Sequence, residues 1–482
     1  MAGTVHPIFL AGVARETSAS LDVRNPYDGT LVARVALAGA AEYEDAARAC
    51  VAAAPVVSAL PVHERARILR AVSAALAADR EAFAGRIVRE SGKPLRDART
   101  EVDRATMTFE VAAEEARRLP GSGDVVPMDL APHGEHRIAV TRRVPIGPIA
   151  AISPFNFPLN LVAHKLAPAL AAGNPVVLKP ASRTPLSALA LADIMHAAGL
   201  PPGALSVLPM NRETGDMLVT DDRFRLLTFT GSAEVGWALK ARAGRKKVVL
   251  ELGGNAAVIV DESADLDHAA DRVAAGGFGY AGQSCIAVQR VYVHEAVWDA
   301  FVPALVGRVR AIAAGDPMDE RTTVGPLISG GDVDRIEDWV REAVDRGASV
   351  LCGGSRLSDR LYPATLLTGV PRDARLCAEE AFAPVVVVEK VRSVDEALAA
   401  VDDSAFGLQA GIFTRDIDTA LDAFDRLEVG GLLVNDVPTY RIDHMPYGGV
   451  KDSGLGREGP RYAIEDMTEL RLLVVRRRDR PS

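Results

Sequence analysis

This sequence predicts an α/β protein: two doubly wound lobes, each built on a parallel sheet, plus a small β arm. Three observations carry that reading. Short apolar runs at residues 149–152, 176–178, 206–208, 226–229 and 248–250 alternate with Ala-rich segments of helical period at 159–172 and 186–198, the pattern of repeated β-α units. After Gly253 the alternation resumes, with apolar runs at 258–260, 290–294 and 385–388, and a second lobe follows. Residues 121–143 break the pattern with Gly, Pro, His and charges, then give way to an alternating run at 137–144 whose natural partner is the C-terminal run 470–475.

The remaining elements follow in chain order. The apolar run at 8–14 has no Lys or Arg before it and no further hydrophobic region after it, so it fails as a secretory leader. Residues 40–54 and 64–90 have the period of amphipathic helices. Gly173-Asn174-Pro175 and Gly199-Leu200-Pro201-Pro202 put Gly or Pro just past a periodic segment and so stop the two helices before them. The terminal Arg476-Arg477-Arg478 reads as a solvated tail.

Composition bounds the function. With 482 residues, 48% hydrophobic and 25% charged, the chain has room for two or three domains and no compositional case for disorder. Its 55 Lys+Arg against 64 Asp+Glu leave a formal charge of −9. That disfavours a nucleic-acid or anionic-membrane partner, because counterion release needs a basic face; a small molecule is expected instead. Cys50, Cys285, Cys352 and Cys377 are too far apart for CxxC pairing and too few to staple the chain, so a reducing, cytoplasmic setting is expected. No apolar stretch approaches the ~20 residues of a membrane span. His133 and His136 have no convergent third ligand, and no metal is expected.

In open α/β sheets ligands bind beyond the carboxyl ends of the strands. Four strand ends here deliver polar groups to one rim: Ser153-Pro154-Phe155-Asn156-Phe157-Pro158, Lys179-Pro180-Ala181-Ser182, Thr230-Gly231-Ser232 and Glu251-Leu252-Gly253-Gly254. Gly231-Ser232 opens a helix and offers unpaired N–H groups and a positive dipole end to a phosphate, while Lys179 can serve a ribose or phosphate from the next strand. The GxGxxG fingerprint occurs at 277–282 and at 454–459. Both are rejected: the first follows a helical segment rather than a strand, and the second lies too near the C-terminus for a βαβ unit. Cys285 stands apart from the other thiols because a Gly-rich approach, 276–282, lets a ligand come close. A lone thiol is ordinarily buried and inert. Glu251 weighs against that, since a carboxylate between an apolar strand and Gly-Gly either pairs with something buried or does acid-base work.

The motifs SPFNFP, KPAS, FTGS, ELGGN, GQSC, EEAFAP and PYGGVKDSGLGREG, in this order, resemble the aldehyde dehydrogenase superfamily over nearly the whole chain, and so does the 34-residue gap from Glu251 to Cys285. The resemblance implies a dinucleotide-binding domain at 1–121 and 146–252, a catalytic domain at 253–459, and an oligomerisation arm at 122–145 and 460–482 that completes a neighbour's sheet in a homodimer or homotetramer. It implies Cys285 as the nucleophile that forms a thiohemiacetal with an aldehyde, with Asn156 and the Cys285 N–H holding the oxyanion. Hydride then passes to NAD or NADP, and Glu251 activates the water that hydrolyses the thioester. Toward the cofactor it implies Ser153 and Phe155 in the cleft, Lys179 and Ser182 at the adenosine ribose, and Gly231 and Ser232 at the pyrophosphate. A Leu252 backbone contact is implied at the nicotinamide amide, and Glu380 with Phe382 at the nicotinamide ribose.

Departures from the family pattern sharpen the expectation. Members strict for NAD often carry Glu at the position of Ser182; here that repulsion is gone, and Arg183 alongside is expected to attract a 2′-phosphate. Phe155 replaces a common Trp. His164 falls where many relatives place a large aromatic in the substrate tunnel, which fits a polar or anionic small aldehyde, or else a hydrogen-bonded core histidine. Arg441 lies in the loop over the substrate mouth, to bind a carboxylate or phosphate or to pair with Asp443. Phe157 and Tyr447 complete the expected lining. Succinic semialdehyde dehydrogenases usually carry Arg where this chain has Gly279, which counts against that relative, and the pattern VNDxxxxRxDxMPYGGVKxSGLGREG looks more like the lactaldehyde and glyceraldehyde-type branch. Two other readings compete. A CoA-acylating enzyme would lack the base that Glu251 supplies, and a catalytically silent nucleotide-binding paralogue has no use for intact Cys285, Asn156 and Glu251.

Overall fold

The structure is a computed structural model and describes residues 5–119 and 123–477. Its first sheet has eight strands, in the order Gly454–Leu455, Lys247–Glu251, Leu226–Thr230, Ile149–Ile152, Val176–Lys179, Leu205–Val207, Ile8–Leu10 and Val13–Arg15. The five from Lys247–Glu251 to Leu205–Val207 run parallel, and the flanking strands are antiparallel. Helices cover the parallel part, and its apolar runs are buried on both faces, as a parallel sheet requires.

Three features of this lobe depart from the local sequence signals. The apolar run near the N-terminus is a hairpin, Ile8–Leu10 with Val13–Arg15, turned at Ala11 and Gly12, where φ is +53° and +97°. Both turn residues having positive φ is the geometry whose twist matches paired strands. The helix expected over 64–90 is two, Val62–Ala78 and Arg80–Ser91, parted at Asp79, a residue type that competes with the helical backbone for hydrogen bonds. The 24-residue helix Leu95–Arg118, absent from the expected elements, packs along Asn160–Ala172 and carries Arg104. Every residue of Asn160–Ala172 is buried, so His164 and Lys165 are polar groups inside the core.

The second sheet has seven strands, ordered Ser349–Cys352, Thr365–Thr368, Val385–Val391, Val288–His294, Ala256–Val260, Gln409–Phe413 and Gly431–Val434. All pairs are parallel except the first. The strand Gly454–Leu455 comes from the end of this second stretch of chain yet pairs back onto the first sheet, with Leu455 opposite Leu250 and Gly454 opposite Glu251.

The arm is a three-stranded sheet of Val125–Val126, Arg137–Pro145 and Thr468–Arg476, the long pair antiparallel from Arg137 opposite Arg476 to Pro145 opposite Thr468. Leu470, Leu472 and Leu473 on it are 58%, 57% and 63% exposed, so the chain's own packing leaves them uncovered. Residues 120–122 of the expected arm boundary and 478–482 of the tail lie outside the described residues. Among the described residues no single helix is long and apolar enough to cross a membrane, and no group of three or more His, Cys, Asp or Glu side chains could hold a metal ion.

Candidate active site

Cys285 is set between the end of a helix and the start of the strand Val288–His294. The approach is a tight turn, Gly279–Gly282, in which Tyr280 and Ala281 adopt left-handed backbone with φ of +50° and +54°. Such residues cost on the order of 1–3 kcal/mol each and persist only where packing over-determines them. Tyr280 is held by Phe157, edge-on at 6.2 Å between centroids, and by the Lys93 ammonium 4.5 Å from its ring centroid. The glycine at 254 is required by closeness: a Cβ there would run into the Cys285 carbonyl. The Asn156 amide donates to the Gln283 carbonyl at 3.1 Å, fixing that side chain beside the nucleophile's loop. Burial pushes the Cys285 thiol up to about 12; a 2.9 Å hydrogen bond with the Tyr447 hydroxyl opposes the rise, Glu380 and Glu251 add to it, and Arg441 opposes it.

Glu251, at the end of Lys247–Glu251, is 3% exposed and neither carboxylate oxygen has a hydrogen-bond partner. Burial raises its pKa well above the ordinary carboxylate value, and nearby Glu458 raises it further. Glu458 goes the other way. Its carboxylate accepts from Arg441 at 2.8 Å, and His164, Arg441 and Lys165 hold it below the usual value in spite of burial. Of the two acids, Glu458 is the one held toward its ionised form and Glu251 the one pushed toward its protonated form. Lys165 donates to the Thr228 and Thr230 hydroxyls at 3.0 and 2.7 Å, and burial lowers its pKa.

Of the two readings of Arg441, the pairing with Asp443 is not formed. Asp443 instead accepts from Arg104 at 2.9 and 3.1 Å and from Asn160 at 3.0 Å, and bonds His164 Nε2 at 2.8 Å. Arg441 turns to Glu458, approaches His164 Nε2 at 3.1 Å and stacks its guanidinium 3.7 Å from the Tyr447 ring centroid. His164 is a hydrogen-bonded interior histidine, 2% exposed, with its pKa lowered by burial and by Arg441. Its Nδ1 and the Arg441 Nε are buried without partners. Phe157 lies under the Lys93 ammonium, 3.5 Å from the ring centroid, and the buried ion pair of Lys93 with Glu101 anchors that contact. Glu101 also accepts from the Leu159 and Asn160 N–H groups, capping the helix that presents His164 and Lys165.

The cofactor candidates lie along the carboxyl ends of the first sheet. Lys179, Ser182, Ile152, Phe229 and Val235 line one cavity of about 400 Å³, and Arg212, at the start of a neighbouring helix, lines it with them. Gly215 on that helix leaves room for the Lys179 stem. Arg183 does not face this cavity. It donates to the Ile328 carbonyl at 3.2 Å and lines a second cavity, which it shares with Ser182. Ser232 precedes the helix Ala233–Arg242 and makes no capping bond, which leaves first-turn N–H groups for a phosphate; with the cavity, they fit a dinucleotide. The Gly231 N–H is used differently, donating to the Glu251 carbonyl at 3.1 Å. Leu252 is 2% exposed and its N–H donates to the Ser453 carbonyl, so only its carbonyl remains for a ligand. Glu380 accepts from the Gly254 N–H at 3.0 Å, and burial raises its pKa to about 7. Phe382, at φ +47°, meets Phe155 edge-on at 5.9 Å, and Ser153 is buried with its N–H on the Lys179 carbonyl.

The structure thus adds Arg104, Lys165, Glu458 and Arg212 to the residues expected around the site. Glu458 lies within the PYGGVKDSGLGREG motif, where its place as an acid between Arg457 and Gly459 was the available signal; the other three look like ordinary helix charges.

A family model described as the aldehyde dehydrogenase family matches residues 13–473. The chain belongs to that family and is an NAD(P)-dependent aldehyde dehydrogenase with the family's fold. It is 45% identical over 470 residues to 3-sulfolactaldehyde dehydrogenase of Priestia megaterium, covering 97% of each chain. It superposes with a TM-score of 0.97 on aldehyde dehydrogenase 21 from Physcomitrella patens in complex with the reaction product succinate, at 47% identity and 99% coverage of both chains. Glyceraldehyde-3-phosphate dehydrogenase from Methanocaldococcus jannaschii, complexed with NADP, gives a TM-score of 0.91 at 37% identity, with 96% of this chain and 100% of that one covered.

Proposed function

We propose that the chain oxidises a short aldehyde bearing an anionic or hydroxylated far end to its acid, accepting NADP. One observation carries the substrate class: Arg441 Nε and His164 Nδ1 are unpartnered and buried, and Arg441 stands one phenol ring away from the Cys285 sulfur. That spacing suits an aldehyde chain of a few carbons whose carbonyl meets the sulfur while its far group meets the guanidinium. Arg104, held by Asp443 beside His164, adds a second cation, so Gly279 does not leave this end without positive charge. The relatives named above, which act on sulfolactaldehyde or were crystallised with succinate, agree with an anionic far end.

In this reading Cys285 attacks the carbonyl carbon and Asn156 holds the oxygen that becomes negative. A dinucleotide held by Lys179, Ser182 and Glu380 would supply the hydride acceptor for that carbon. Glu251, in its ionised form after losing its proton to solvent, then takes one from the water that hydrolyses the thioester. Succinic semialdehyde and butanal separate the substrate question, since they share a four-carbon chain and differ in the carboxylate. For Arg441→Met, the ratio of kcat/KM for the two should fall roughly 10- to 100-fold, the worth of a hydrogen bond to a charged group. An equal loss on both substrates sinks the assignment.

Arg212 supports NADP. Arg212→Ala is expected to raise KM for NADP about tenfold or more with KM for NAD little changed. Wild-type turnover with NAD and none with NADP would remove the 2′-phosphate reading altogether.

A further inference from the structure

None of these steps uses the Tyr447 hydroxyl, yet among the described residues it is the hydrogen-bond partner of the Cys285 sulfur, at 2.9 Å. We propose that Tyr447 is a catalytic residue whose O–H donates to that sulfur, holding it as thiolate both at attack and when the acyl group leaves. This rests on Cys285 being the nucleophile.

Either atom of the pair can donate while the sulfur is a thiol; as a thiolate the sulfur can only accept, and the hydroxyl is then the donor. Tyr447 is 3% exposed, and burial, with Cys285 next to it, pushes its phenol well above the ordinary value, so the ring keeps its proton. A buried hydroxyl must spend that proton on a nearby acceptor, and the sulfur is the one in reach. Arg441, stacked on the other side of the ring, makes the hydroxyl a stronger donor. The residue is held in place: Tyr447 and Glu458 exchange backbone hydrogen bonds, Ile286 and Leu408 share its buried cluster, and Arg441 covers the ring. The ionisable groups around the sulfur are Glu251, Glu380 and Arg441; negative charge on either acid opposes ionisation and Arg441 favours it. Against that field a donor on sulfur is what lets the thiolate form.

Each step balances. Before attack the thiol proton leaves to solvent water; the S–C bond then forms and the carbonyl π pair moves to oxygen. At deacylation the water oxygen bonds to the thioester carbon, a water proton goes to Glu251, the C–S bond breaks, and its electron pair leaves on sulfur as the thiolate that Tyr447 receives.

The test is Tyr447→Phe, which keeps the ring and removes only the donor. The second-order rate of iodoacetamide inactivation is followed against pH, with Cys285→Ala giving the background from the other thiols. The apparent thiol pKa is expected to rise by about one to two units. Turnover near neutral pH should fall about tenfold with cofactor KM unchanged, and the deficit should close at alkaline pH. A purely structural role would leave the thiol titration where it is, and coincident titrations of wild type and Tyr447→Phe overturn the proposal. Should Tyr447→Phe not fold, 3-fluorotyrosine at 447, a stronger donor, must move the titration downward, and a titration that stays in place overturns the proposal equally. Undiminished inactivation of Cys285→Ala would instead remove the nucleophile assignment, leaving this proposal without its premise.

Discussion

Replacing Cys285 by Ala should cut aldehyde-dependent formation of reduced cofactor by about 10⁴-fold or more, the scale seen when a covalent nucleophile is removed. Cofactor affinity should hardly change, because the sulfur lies among Tyr447, Glu251 and Glu380 rather than in the cavity lined by Lys179, Ser182 and Arg212. The other thiols offer no substitute: Cys50 and Cys377 are buried, and Cys352 sits on an edge strand of the second sheet. Absorbance of the reduced cofactor and a direct cofactor titration check both halves. Residual turnover within tenfold of wild type would take the reaction away from this residue.

Glu251→Gln separates the two halves of the cycle. A burst of reduced cofactor matching the number of sites should survive, because acylation does not need the base, while steady turnover falls by roughly 10² to 10⁴. The pH dependence has a defined sign. A general base works only when ionised, and burial together with Glu458 raises the Glu251 pKa, so wild-type steady turnover should climb with pH above the ordinary carboxylate range. In Glu251→Gln that limb should vanish. Unimpaired steady turnover, or an unchanged limb, would assign the water activation elsewhere; rapid-mixing kinetics at several pH values reads all of these.

The parts of the site legible in the sequence are those whose chemistry conflicts with their local surroundings. A carboxylate closing an apolar strand at Glu251, a thiol after a run of glycines at Cys285 and a Gly-Ser opening a helix at Ser232 each violate a local rule, and such violations mark sites. Arg104 violates none. It sits among the charges of a long helix and meets its partner Asp443 across 339 residues of chain, so only packing reveals it. Sequence adjacency does not decide contacts. Arg183 follows Ser182 but donates to the Ile328 carbonyl, and Arg441 stands two residues from Asp443 yet bonds Glu458. The parallel strands were legible because doubly buried strands are continuous apolar runs, whereas the hairpin Ile8–Leu10 with Val13–Arg15 depends on a turn with two positive φ angles that Ala11 does not advertise.

The short strand Gly454–Leu455 has a mechanical meaning. It stitches the second half of the molecule to the edge of the first sheet, and a few residues on, the same segment supplies Glu458. Prising the halves apart like a clamshell would tear out the backbone bonds beside Glu251 and strip away the neighbour that tunes it.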